Sequence, residues 1–482
     1  MPSRIEDYAM IGDGRTVALV SRTGALDWLC LPRFDSDPCC AALLGTEDNG
    51  RWCISPCGPA STRRGYVDDT LVLQTEFTSD AGSARLTDFM AMGTETPTVI
   101  RKLTGISGTM RMRCELSLRF DWGLMPPRIV RQDGALLAIV GPDLVALRAP
   151  VHLEQSEPGS MTAEFELPAG AEVNFVLTYG TSHYPPPKPV DAGKAEADTL
   201  GFWRGWAATF QSKTPWRDAV LRSLITLKGL IYHPCGGMVA APTSSLPEMP
   251  GGTLNWDYRY SWLRDASFTL GALLNAGYRD EAACWRDWML RAIAGSPEKM
   301  RILYRVDGGR RMDEQKIEWL KGYEGAGPVR VGNSAAAQRQ IDVVGELLDA
   351  LNLIARGGVK ETPESLTAER ELVEHLERTW QDKGHGLWES RGEPHRYTYS
   401  MAMAWVGVDR FLRNNARRGT MDTATLEHLR ALRDQIHAEV VELGWNHARG
   451  HFVDRYGGER VDASLLLLPL VNFLPADDPR MA

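Results

Sequence analysis

Up to about residue 182 apolar and polar positions alternate in short runs, among them TVALVS, TLVLQTEF, PTVIRKLTGI, LLAIVG and EVNFVLTYG, each bounded by Gly, Pro, Asp or Ser. Period-two runs at short intervals predict antiparallel strands and, in this number, a β-sandwich over residues 1–182. The stretch SHYPPPKPVDAGKAEAD then breaks the pattern, because consecutive prolines continue neither a sheet nor a helix, and residues 183–197 read as a linker. Beyond it the period becomes 3.6. Candidate helices lie at 198–211, 215–233, 258–277, 279–295, 333–356, 363–382, 397–415, 423–441 and 461–473; in one of them Ile341, Val344, Leu348 and Leu351 form a single apolar stripe. Residues 198–482 therefore read as an all-α domain. Two long connections interrupt it, from Ile231 to Asp257 and from Ala294 to Gly332, and loops of that length in a compact domain are usually functional or disordered.

Composition narrows the chemistry. With 482 residues, 43% hydrophobic and 24% charged, the chain can bury a large core. A formal net charge of -8 and a pI near 5.8 argue against a general affinity for nucleic acid or anionic membrane. The opening MPSRIEDYAMIGDG is too charged for a secretion signal, and the apolar run ASLLLLPLVNFL falls short of the roughly 20 residues that span a bilayer, so the expected location is the cytoplasm. Eight scattered cysteines, two of them adjacent (Cys39 and Cys40), form no disulfide framework; Cys53 and Cys57 have a zinc-like gap but no second pair to complete it. No metal site is expected.

One stretch concentrates unusual side chains. NWDYRYSWLRDASFTL, from Asn255 to Leu270, read as a helix, puts Tyr258, Trp262, Asp265 and Thr269 on one face and turns Leu263, Ala266 and Leu270 toward packing neighbours. Aromatic rings that stack on a sugar, beside an Arg and an Asp that bind its hydroxyls, make a carbohydrate site. The same residues also fit a plain ion pair between Arg264 and Asp265 with the aromatics in the core.

In order and spacing, NWDYRYSWLRDASFTL, GYEGAGPVRVGNSAAAQRQIDVVGELLDAL, GLWESRGEPHRYTYSMAMAWVGVDR and VDASLLLLPLVNFLPADDPR resemble the bacterial branch of glycoside hydrolase family 15, the glucoamylase and trehalase-like enzymes. The N-terminal IEDYAMIGDGRTVALVSRTGALDWLCLPRFDS resembles that branch too. The resemblance implies a β-sandwich followed by an (α/α)6 barrel of the six-hairpin type, with the site at the barrel mouth. It also implies roles. Arg264 and Asp265 match the pair that binds hydroxyls of the terminal glucose, Tyr258 and Trp262 the aromatics beside it, and Arg330 an arginine of a loop facing the substrate. Glu389, in GLWES, matches the general acid that protonates the glycosidic oxygen; without the resemblance it reads as a surface glutamate in a turn. Fungal relatives carry acidic residues three places before and one after that acid, where this chain has Gly386 and Ser390, so tuning by those carboxylates is absent.

The implied activity is inverting hydrolysis of terminal α-glucosidic bonds, first of maltooligosaccharides in the manner of a glucan 1,4-alpha-glucosidase, with trehalose as the alternative substrate and sugar binding without turnover as a second alternative. No cofactor is required, and the expected partner is a small carbohydrate. Inversion needs a second carboxylate to activate water, which the family supplies from an SEE-like segment downstream of LLLLPLVNFLPADDPR. Eight candidate helices follow Trp216 where twelve make a barrel, so the helical domain is expected to be incomplete at its C-terminus and the base to lie outside it. Asp313, Glu314 and Glu318 could substitute, or could be a solvated turn, and no base is assigned.

Overall fold

The computed structural model describes residues 2–481, which fold into two compact units. The first comprises the chain up to Pro234 together with two later segments, Val239–Tyr260 and Asp313–Asn333; the second comprises Cys235–Met238, Ser261–Met312 and the chain from Ser334 on.

The period-two region of the first unit forms antiparallel strands, and one long strand organises them. The first half of Thr98–Ser117 pairs with Gly82–Met90 and Glu172–Thr181, while its second half pairs with Arg51–Pro56 and Ser160–Pro168. It therefore belongs to both sheets. Alternate residues point into a shared core: Leu73, Thr75 and Phe77 are buried along one strand, and Trp52 meets Phe175 edge to face with centroids 6.4 Å apart. Arg101 is fully buried there, held by Asp88 at 2.8 Å and by the carbonyls of Trp52 and Gly24.

Helix α1 (Ala192–Ala207) and helix α2 (Arg217–Gly229) also belong to this unit. The first begins six residues before its expected start at 198, because the Asp191 side chain caps it by accepting from the Lys194 N–H. The long connections are not structureless either. Ser244–Pro247 pairs with Asn255–Asp257, and Gln315–Ile317 with Val329–Val331.

Those pairings correct the expected helix at 258–277. Asn255–Asp257 is a strand, and Arg259 is buried in a two-pronged ion pair with Asp257 at 2.8 and 2.9 Å; the helix, α3, runs only over Leu263–Asn275. Tyr258 is thus off the helix, and Trp262 is its N-cap residue.

The second unit consists chiefly of helices in sequential pairs: α3 with α4 (Arg279–Ala292), α5 (Asp342–Arg356) with α6 (Pro363–Thr379), and α7 (Thr398–Arg418) with α8 (Thr423–Leu443). The first member of each pair packs beside the next such member, α3 against α5 and α5 against α7. Burial follows this order: 17 of the 21 residues of α7 are buried but only four of the 21 in α8, as expected of an inner and an outer helix. The expected helix at 333–356 starts at Asp342, since 334–337 form a 3-10 turn, and that at 461–473 is reduced to a 3-10 turn and the four residues Leu467–Leu470.

Candidate active site

Glu389 sits at the end of a tight turn whose first residue, Gly386, is required to be glycine. Gly386 has φ +70°, and a Cβ there would meet the Tyr397 ring at 2.7 Å, so the acidic residue that fungal relatives carry at this place has no room here. Glu389 itself has φ 54°, an uncommon conformation for a residue with a side chain and of a kind that clusters at functional sites. Side chains hold the turn from outside. Arg264 Nη1 donates to the Leu387 carbonyl at 2.9 Å, and Gln338 Nε2 donates to the carbonyls of Glu389 and Ser390 at 3.0 and 3.1 Å.

The Glu389 carboxyl is 17% exposed. Its Oε1 accepts from the indole N–H of Trp262 at 2.6 Å and from Arg264 Nη2 at 3.2 Å. Burial pushes its pKa up, and the Arg264 charge together with the Trp262 and Arg264 hydrogen bonds only partly offsets this. The group is therefore biased toward the protonated form that an acid catalyst needs.

Arg264 links this carboxyl to others. Its Nη2 lies 3.3 Å from Asp265 Oδ2, without hydrogen-bond geometry, so that oxygen keeps its acceptor capacity. Burial opposes the Arg264 charge, yet the carboxylates of Asp265, Glu346, Glu389 and Asp342 outweigh it and hold the pKa above its usual range. Asp342 opens α5 and Glu346 stands one turn later; both are buried and both are pushed up, by burial first. A bare Arg–Asp pair thus proves to be the centre of a four-carboxylate cluster.

Of the residues expected from the sequence, the second unit brings together Trp262, Arg264, Asp265 and Glu389. Trp262 is 2% exposed, so its contribution is the N–H to the acid and its packing rather than an open ring face. Tyr258 and Arg330 belong to the first unit. There the Tyr258 hydroxyl donates to Glu248 at 3.4 Å, and Arg330 lies over the Trp256 ring at 4.4 Å, donates to the Asn255 carbonyl at 2.7 Å and stands 3.3 Å from Glu314. Asp313 and Glu318 are exposed in the same unit.

Sequence reasoning missed Gln338, Asp342, Glu346 and Tyr399, although all lie in motifs quoted above. The available signal was two acids four residues apart, interleaved with the apolar stripe of α5. A further unrecognised contact is that of Trp388, exposed beside the acid, whose indole N–H donates to both carboxylate oxygens of Asp462 at 3.0 and 2.8 Å. Among the described residues no group of three or more His, Cys, Asp or Glu is placed to hold a metal ion, and no helix is long and apolar enough to cross a membrane.

Comparison with known proteins divides the chain in sequence order rather than by these two units. A family model described as "Glycosyl hydrolases family 15" matches residues 214–482, and one described as "Trehalase-like, N-terminal" matches residues 1–200. A protein named trehalase from Mycobacterium tuberculosis is 34% identical over 99% of this chain and 74% of its own length. A trehalase from Thermoplasma volcanium is 30% identical over 99% of this chain and 77% of its own length. Among solved structures, a bacterial glucoamylase complexed with acarbose matches with a TM-score of 0.71 at 13% identity, covering 100% of this chain and 77% of that chain; this likeness is one of fold.

Proposed function

The chain belongs to glycosyl hydrolase family 15 and is a glycosidase, and on that premise we propose that it hydrolyses trehalose, with Glu389 as the general acid and Arg264 and Asp265 holding the hydroxyls of the glucosyl unit. The observation that carries the reaction is the buried Glu389 carboxyl, biased toward its protonated form and oriented through one oxygen by Trp262 and Arg264. In that state it delivers a proton to the glycosidic oxygen as the bond breaks, while water bonds to the anomeric carbon and gives its proton to a base that is not assigned among the described residues. Asp265 is ion-paired to Arg264 while its side chain stays 42% exposed, so a carboxylate and a fixed cation stand together, the pairing that sugar hydroxyls require. Tyr258 and Arg330 enter this reading through the family resemblance alone.

The motifs put maltooligosaccharides ahead of trehalose; the curated relatives favour the reverse order, since they carry the name trehalase while the glucoamylase likeness extends only to fold. The test is glucose release from trehalose, maltose and isomaltose at equal concentration. Trehalose is expected to be the preferred substrate, and cleavage of maltose with trehalose untouched would overturn the reading. Glu389→Gln is expected to lower turnover about 10²–10⁴-fold while trehalose still binds by calorimetry.

A further inference from the structure

Two of the four carboxylates around Arg264 have no part in the chemistry above. Asp342 is fully buried and Glu346 is 2% exposed. They stand at i and i+4 on α5, which puts their Cβ atoms about 5–6 Å apart on one face. Each is half satisfied. Asp342 Oδ1 accepts from the Ser400 hydroxyl at 2.8 Å and Glu346 Oε1 from the Tyr399 hydroxyl at 3.2 Å, while Asp342 Oδ2 and Glu346 Oε2 are buried with no hydrogen-bond partner.

The charged and titratable groups facing the pair are Arg264 and Asp265 from α3, Tyr399 from α7 and Glu389 from the acid turn. With every acid ionised, one guanidinium would face four anions, two of them, Asp342 and Glu346, buried away from water. Two carboxylates sharing such a site do not both ionise.

We propose that Glu346 is a positioning residue that works in its protonated form: Asp342 carries the charge, the Glu346 O–H supplies the donor that the unpartnered Asp342 oxygen lacks, and Arg264 is left to hold Asp265 and Glu389. An ionised Glu346 would compete for the guanidinium and weaken its grip on the acid turn. The direction of the shift agrees, since burial and then the Asp342 charge push Glu346 well above the usual carboxylate range. The functional part of this inference rests on Glu389 being the acid; the proton on Glu346 does not.

Infrared difference spectroscopy of the whole chain at neutral pH separates the two. Glu346→Gln is expected to remove one protonated-carboxyl C=O band that Glu389→Gln retains, whatever Glu389 does in catalysis. If Gln at 346 destabilises the fold, Tyr399→Phe is expected to move that band in frequency by removing its hydrogen-bond donor, and an unmoved band overturns the proposal. The pH profile of kcat/KM on trehalose reads the positioning role. Asp342→Asn removes a fixed negative charge, strengthens the hold of Arg264 on ionised Glu389, and moves the alkaline limb to lower pH; Glu346→Gln leaves the limb where it is. A Glu346→Gln protein that keeps the band, or whose limb moves as far as that of Asp342→Asn, overturns the proposal.

Discussion

At the scale of single residues, the acidity of Glu389 is a balance that one side chain can tip. The indole N–H of Trp262 stabilises the ionised carboxylate and so works against the burial that raises its pKa. In Trp262→Phe that donor is gone, the carboxylate is less stable, and the pKa rises further. A general acid works only while protonated, and its activity is lost as pH rises through its pKa. The alkaline limb of kcat/KM is therefore expected to move to higher pH, the opposite of the Asp342→Asn displacement. A hydrogen bond to a charged group contributes about 1.5–3 kcal/mol, so kcat is expected to fall roughly ten- to a hundredfold as the carboxyl loses its orientation. A limb displaced to lower pH would contradict the balance. The sequence exposed this site unevenly. Arg264 and Asp265 stood out by residue type, beside aromatics in one short stretch, whereas Glu389 was a candidate through the family resemblance alone. Asp342 and Glu346 were found by neither route, because an acid among apolar helix positions reads as a solvated edge until burial is known.

At the scale of helices, the cluster depends on how closely α5 and α7 approach, since Asp342 and Glu346 meet Ser400 and Tyr399 across that contact. Gly345 of α5 and Gly407 of α7 make the approach possible: a Cβ on Gly345 would meet the Met403 carbonyl oxygen at 2.0 Å, and one on Gly407 would meet the Gly345 Cα at 3.2 Å. Helix propensity alone says that Gly345→Ala should stabilise α5 by about 1 kcal/mol. The clash is with backbone, which cannot rotate away, and overpacking of this kind costs about 1–3 kcal/mol or more. The clash is expected to win, lowering the melting temperature and, by pushing α7 from α5, the turnover as well; a raised melting temperature would show that the helices have slack. Periodicity revealed that these helices exist because the apolar stripe repeats over several turns. Their starts were misread wherever a terminus is set by something other than period: the Asp191 cap before α1, and the Asn255–Asp257 strand with its Asp257–Arg259 ion pair before α3.

At the scale of the molecule, the chain order of the domains is only part of the architecture. The shift from period two to 3.6 marks where strands give way to helices, but it is blind to later segments that return to the first unit. Residues 313–333 are such a segment, and they read as a loop because their apolar residues are too sparse to show a period. In the fold they complete a core. Ile317, Leu320, Tyr323 and Val329 are buried with Trp28, Leu43, Leu44 and Trp122, the Trp319 indole N–H donates to the Trp122 carbonyl at 2.9 Å, and the Gly322 N–H to the Leu44 carbonyl at 2.9 Å. A chain ending at residue 200 keeps every strand of the sandwich yet loses all of these partners. Each fully buried apolar side chain contributes about 1.5–3 kcal/mol, so four amount to a large share of the roughly 5–15 kcal/mol that holds a typical domain together. They would also leave Trp28 and Trp122 facing water as a contiguous apolar patch. The 1–200 chain is therefore expected to bind a hydrophobic dye and to unfold at much lower denaturant than the whole protein, and a synthetic peptide of residues 313–333 is expected to restore part of the loss. A dye-silent 1–200 chain with full stability would mean that the sandwich closes its own core and that the returning segment is a passenger.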